Sequence, residues 1–154
     1  MTNNSNFFQF EAEFIESMHC IPMIVRMKLD TCGVKLKLEH WNKFEKSERQ
    51  TLIAMPCETK AETVEYKEFL QNMILQKTGN MAKELAIAPH PPWLDETVIP
   101  ENLQLKATAF NIELRLAQWQ NLSPLQRFAL IKLSNPSHES KNFLPALKEF
   151  KITT

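Results

Sequence analysis

Apolar residues recur three and four positions apart along most of this 154-residue chain, a spacing that predicts helices. Ile21, Val25, Leu29 and Cys32 form one such stripe. Pro22 suits the first turn of that helix, and Gly33 stands where it would stop. A short helix carrying Trp41 follows over Leu38–Phe44. The next, Lys46–Met55, opens with a Ser47–Gln50 capping-box spacing and ends at Pro56. Thr59 and Glu62 have the same spacing and open the longest helix, which runs to about Lys77 before Gly79. Its apolar face is Tyr66, Phe69, Leu70, Met73 and Ile74. Asn142–Phe150 reads as a last short helix. At the start, residues 1–6 are polar and predict an unordered end. Phe8, Phe10, Ala12 and Phe14 then alternate with polar residues, which predicts a short extended N-terminal arm.

A second period competes in one place. Val25, Met27 and Leu29 alternate with Arg26, Lys28 and Asp30, and Val34, Leu36 and Leu38 alternate with lysines. That pattern describes hairpins at 25–38 and 103–116 in an α+β fold. The helix is preferred, because Pro22 and Gly33 bracket it as start and stop, so the fold class is mainly α.

The chain also resembles itself at an offset of 78 residues. Ile21/Ile99, Pro22/Pro100, Lys28/Lys106, Leu36/Leu114, Leu38/Leu116, Trp41/Trp119, Arg49/Arg127, Leu52/Leu130 and Ile53/Ile131 are identical without a gap. Asn111 replaces Gly33 and is tolerated at a helix C-terminus. Ser123–Pro124 opens the second copy of the packing helix, whose Leu125, Phe128, Ala129, Ile131 and Leu133 place it at the centre of the core. The expectation is one compact helical domain over 1–154 built by internal duplication. Copies at about 21–56 and 99–134 are joined by helix 60–77 and a proline-rich linker over 81–100, which contains His90 and Trp93.

Composition narrows the function. The 18 basic and 18 acidic side chains cancel, without the basic excess that holds nucleic-acid phosphates. The apolar second packing helix also argues against a recognition helix. No stretch approaches the roughly 18 apolar residues of a membrane span, and no signal-like start is seen, so a cytoplasmic protein is expected. Cys20, Cys32 and Cys57 are odd in number and widely spaced, as suits reduced buried thiols.

No catalytic or cofactor motif stands out. His19, Cys20, Cys32, His40, Cys57, His90 and His138 lack the spacing of a zinc site, and neither glycine belongs to a phosphate-cradling loop. Trp41 and Trp119 fit core positions better than binding anchors, being duplicated. Arg49 and Arg127 have the chemistry to clamp an anion, although bonds to helix-end carbonyls suit them better. The polar loop 134–142 (SNPSHESKN) follows the most apolar helix and is the best surface candidate. The candidate interaction surface is therefore Arg49, Arg127, His138, Glu139, Lys141 and Asn142, with no metal or cofactor and no catalytic residue.

Three stretches carry a family resemblance: FFQFEAEFIESMHCIPMIVRMKLDTCGVKLKLEHW at Phe7–Trp41, NLSPLQRFALIKLSNPSHESKNFLPALKEF at Asn121–Phe150, and PHPPWLDETVIP between them. They resemble the nitrate reductase-associated proteins. The resemblance implies a place in nitrate assimilation, with nitrate reductase or molybdenum-cofactor biosynthesis proteins as partners, and supplies no catalytic residues. It also leads one to expect Ser or Thr before the tryptophan helix, where this chain has Lys37 and Arg115. The expected function is a non-enzymatic accessory or adaptor protein. Binding of a small anion or molybdopterin is the alternative, and DNA regulation a weaker third.

Overall fold

The computed structural model describes residues 7–17, 20–136 and 138–154, without the side chains of His138 and Glu139. The unordered start expected for residues 1–6 lies outside them, as does His19. The fold is mainly α: α1 Gln9–Glu16, α2 Met23–Cys32, α3 Leu38–Lys43, α4 Lys46–Ala54, α5 Lys60–Thr78, α6 Glu101–Ala109, α7 Leu116–Asn121, α8 Pro124–Ser134 and α9 Phe143–Glu149. Short 3-10 turns occupy Pro92–Leu94 and His138–Asn142. Among the described residues, the extended pairing is one isolated antiparallel bridge, Val34 to Glu84.

The residues group into two compact units, one holding Ala12–Ala88, the other Pro89–Thr154 with Phe8–Glu11. In the first, α2 packs on α4 and α5, and α3 on α5. Their core contains Val25, Leu29, Cys32, Trp41, Phe44, Leu52, Tyr66, Leu70 and Ile74. In the second, α8 packs against α6, α9 and the Pro92–Leu94 turn. Trp93 is buried there, edge-on to Phe128 at 5.0 Å. The stretch 81–100, read as a linker, is thus divided between the units.

The hairpin alternative is not adopted. Met23, Val25, Leu29 and Cys32 are buried at helical spacing, and Gly33 ends α2 with φ 80°. The extended N-terminal arm is overturned as well: Gln9–Glu16 is α1. Its Gln, Glu and Ala residues are strong helix formers, and its first-turn amides find carboxylates. The Gln9 and Phe10 N–H groups donate to Glu149 Oε2 and Oε1 at 3.0 and 3.1 Å, and Phe8 N–H donates to Glu11. Phe8 and Phe10 stack on each other, with Phe150 against both rings.

Local structure recurs at the 78-residue offset. Asn111, at φ 59°, takes the left-handed conformation of Gly33. Val34 N–H to Leu29 O corresponds to Ile112 N–H to Ala107 O. α3 and α7 start at the same repeat position despite Lys37 and Arg115, because the residue three places on reaches back. His40 Nδ1 accepts from Lys37 N–H at 3.1 Å, and Gln118 Oε1 from Arg115 N–H at 2.9 Å. A lysine or arginine side chain has no acceptor, so only this half of a capping box forms.

The cap expected at Ser47 shifts by two residues. Glu45 is the N-cap of α4, and its N–H donates to Glu48. The complete boxes are Thr59–Glu62 and Ser123–Gln126.

Candidate functional site

The nominated residues fall in both units: Arg49 in the first, the other five in the second. Arg49 Nη1 donates to the Phe44 carbonyl at the end of α3. Arg127 does the same to Leu122 at the end of α7, at 2.7 Å. It also donates to Trp119 O at 3.3 Å and, through Nε, to Trp93 O at 2.7 Å. Arg127 is 2% exposed, so its place on an interaction surface is corrected. The guanidinium fastens the ends of two elements together, and its remaining nitrogen lies 3.8 Å from Glu96. The guanidinium carbon lies over the Trp119 ring, 5.8 Å from the centroid, and that indole N–H donates to Asp95 O at 2.9 Å.

His138–Asn142 forms the 3-10 turn that leads into α9. Lys141 is exposed and Asn142 half-buried, while the side chains of His138 and Glu139 lie outside the described residues.

The first unit also holds a buried polar cluster that sequence reading missed. Lys28 on α2 donates to Ile53 O and Met55 O, both at 2.6 Å, where α4 ends, and lies 5.7 Å from the Tyr66 ring centroid. Burial lowers its pKa, and nearby Cys57 and Glu58 oppose that shift. Tyr66 donates to Leu52 O at 2.7 Å, and burial pushes its phenol well above the usual range. Cys32 Sγ donates to Leu29 O and Cys57 Sγ to Lys28 O, both at 3.8 Å. The neighbouring Cys57 thiol, followed by burial, raises the Cys32 pKa, whereas the Cys32 neighbour lowers that of Cys57. The repetition of Lys28 as Lys106, on a helix face otherwise apolar, was a usable sequence signal. The thiols lie 25 positions apart on separate segments, and no spacing foretold their meeting.

Two concave surfaces lie elsewhere. A groove of about 310 Å³ between α4 and α5 is lined by Ser47, Glu48, Thr51, Phe69, Asn72 and Gln76. Phe69, expected in the core face of α5, is 36% exposed there. Gln71 is buried instead, its amide spent on both backbone groups of Ala82. In the second unit, Gln104, Thr108, Asn111, Ile112 and Glu113 line a shallow cavity of about 280 Å³. Among the described residues, no three His, Cys, Asp or Glu side chains are placed to hold a metal, and no helix is long and apolar enough to cross a membrane.

Neither curated proteins nor solved structures provide a match to this chain. The family model of conserved nitrate reductase-associated proteins matches residues 7–150. The chain therefore belongs to the nitrate reductase-associated protein family.

Proposed function

We propose that this is a cytoplasmic, non-enzymatic accessory protein of nitrate assimilation. It binds nitrate reductase, or the proteins that mature and insert its molybdenum cofactor. Family membership across residues 7–150 carries this reading. The surfaces are consistent with a protein partner. Val64 and Leu75 are exposed on α5, Leu105 on α6 and Leu116 on α7, each more than a third open to solvent. Apolar side chains held outward on helices supply contact area without needing a reactive group.

Direct anion binding has less support, because the guanidinium groups of Arg49 and Arg127 already donate to main-chain carbonyls. The test is titration calorimetry of the purified protein against nitrate reductase and, separately, against the cofactor-maturation proteins. Saturable binding to one of them is expected. An absence of heat and of co-elution with every one would sink the proposal.

A further inference from the structure

In the first unit, the extended stretch after α2 is covered by a passing chain. Lys35 N–H donates to Lys83 O and Leu85 N–H to Gly33 O, both at 2.8 Å, around the antiparallel Val34–Glu84 bridge. Gln71 clamps Ala82 from α5, and Lys67 holds Glu84 at 2.7 Å. Under this cover Gly33 and Val34 are buried.

The same stretch in the second unit, Asn111–Glu113, has no cover among the described residues. It leaves its helix with the same backbone bond and the same left-handed residue. Yet neither the Asn111 carbonyl, which matches Gly33 O, nor the Glu113 N–H, which matches Lys35 N–H, has a partner there. Asn111 and Glu113 are exposed, and Ile112 is half-buried where Val34 is fully buried. The shallow cavity lies on this edge. One of its lining residues, Gln104, donates through Nε2 to Leu114 O at 3.1 Å. Its Oε1 is the one buried side-chain oxygen or nitrogen without a partner among the described residues.

We propose that Asn111–Glu113 is a peptide-binding edge, taking an extended segment of a partner protein in the antiparallel register that Lys83–Leu85 adopts on Gly33–Lys35. Main-chain hydrogen bonds supply the affinity, as in other strand additions, and side chains on alternate positions supply the selection. Charge identifies the segment. Across the bridge in the first unit Lys35 stands opposite Lys83, a like-charge pair, but its repeat counterpart is Glu113. An opposite-charge pair stabilises such a position and a like-charge pair weakens it. The incoming segment therefore carries Lys or Arg at the place held by Lys83.

Its far end must diverge. A Cβ at Gly33 would lie 2.8 Å from Leu85 O, and Asn111 carries that Cβ. Contact is thus centred on Ile112 and Glu113.

The site does not depend on which protein donates the segment. Peptide binding and capture of nitrate reductase can each fail while the other succeeds.

The test is a nuclear magnetic resonance titration of the full chain with the heptapeptide MAKELAI, the sequence of Met81–Ile87. The expected result is a shift of the Glu113 amide and the Gln104 side-chain amide at millimolar peptide, with slowed exchange of the Glu113 N–H and no change at Lys35. Glu113→Pro, which removes that N–H, should weaken binding at least about tenfold, corresponding to loss of ~1.4 kcal/mol. Glu113→Lys should weaken it several-fold and guards against misfolding by the proline variant. A peptide with Lys83→Glu should also bind more weakly. No shifts around Ile112 at millimolar peptide, or full binding by both variants, would overturn the proposal. Self-association of the chain that is abolished by Glu113→Lys would overturn the partner assignment, because the occupant would then be a second copy.

Discussion

Arg127 and Arg49 hold the same repeat position but serve it to different degrees. Arg127 is buried and donates to three carbonyls, whereas Arg49 is half-buried and donates to Phe44 O. Removing a buried donor leaves its acceptors desolvated and unpaired, and this costs more than the bond itself contributes. Arg127→Met is expected to lower unfolding free energy by about 3 kcal/mol or more, and Arg49→Met by about 1 kcal/mol. Urea denaturation of both variants checks the contrast. Equal small losses would return Arg127 to the list of surface residues. The sequence displayed these arginines as a repeated pair but could not distinguish them. The difference comes from Trp93, whose carbonyl meets Arg127 across 34 positions and belongs to no repeated segment. Lys28 recurs as Lys106 in the same way, but that recurrence did not reveal the Ile53 and Met55 carbonyls it holds.

At the scale of elements, most helix ends were legible because caps are local chemistry. Thr59–Glu62 forms as spaced, Ser123 caps α8 ahead of Pro124, and Gly79 ends α5. α1 was misread because two-residue alternation in four apolar positions cannot express what Glu149 does to its first turn, 140 positions away. α3 begins at Leu38, as read, although Lys37 lacks a capping oxygen, because His40 accepts the Lys37 N–H as a neutral ring. That dependence is testable. Burial, the largest cause, lowers the His40 pKa from 6.5, so the folded state binds the proton less readily than the unfolded chain. Its contribution is present above pH 6.5 and is lost as pH falls through the lowered value. His40→Gln, which installs the group that Gln118 supplies to α7, should keep the cap and flatten this part of the pH dependence. Urea midpoints at pH 7.5 and 5 would show it, and an unchanged pH response would assign the effect elsewhere.

The two glycines divide similarly. Both have positive φ, but a Cβ on Gly79 meets nothing within 4 Å, whereas one on Gly33 meets Leu85 O at 2.8 Å. Gly79→Ala should cost about 1 kcal/mol for left-handed backbone alone. Gly33→Ala should cost more than about 2 kcal/mol and speed amide exchange at Lys35 and Leu85, as the covering segment is displaced. Equal losses would argue that the cover is not tightly seated.

For the molecule as a whole, residues 21–56 lie in one compact unit and 99–134 in the other, and several local backbone bonds recur between them at the 78-residue offset. The mainly helical class and the family were both legible in the sequence. The proposed peptide edge was not, because an uncovered backbone edge has no composition of its own. Asn111–Glu113 becomes conspicuous only beside the covered Gly33–Lys35. The proposed accessory role turns on association. Its most direct test is affinity capture of tagged protein, produced at native level in cells grown on nitrate, with mass spectrometry of what co-purifies. Recovery of nitrate reductase or molybdenum-cofactor proteins, reproduced with the purified components, is the expected result. Capture that retains neither, from cells shown to contain both, would contradict the accessory role.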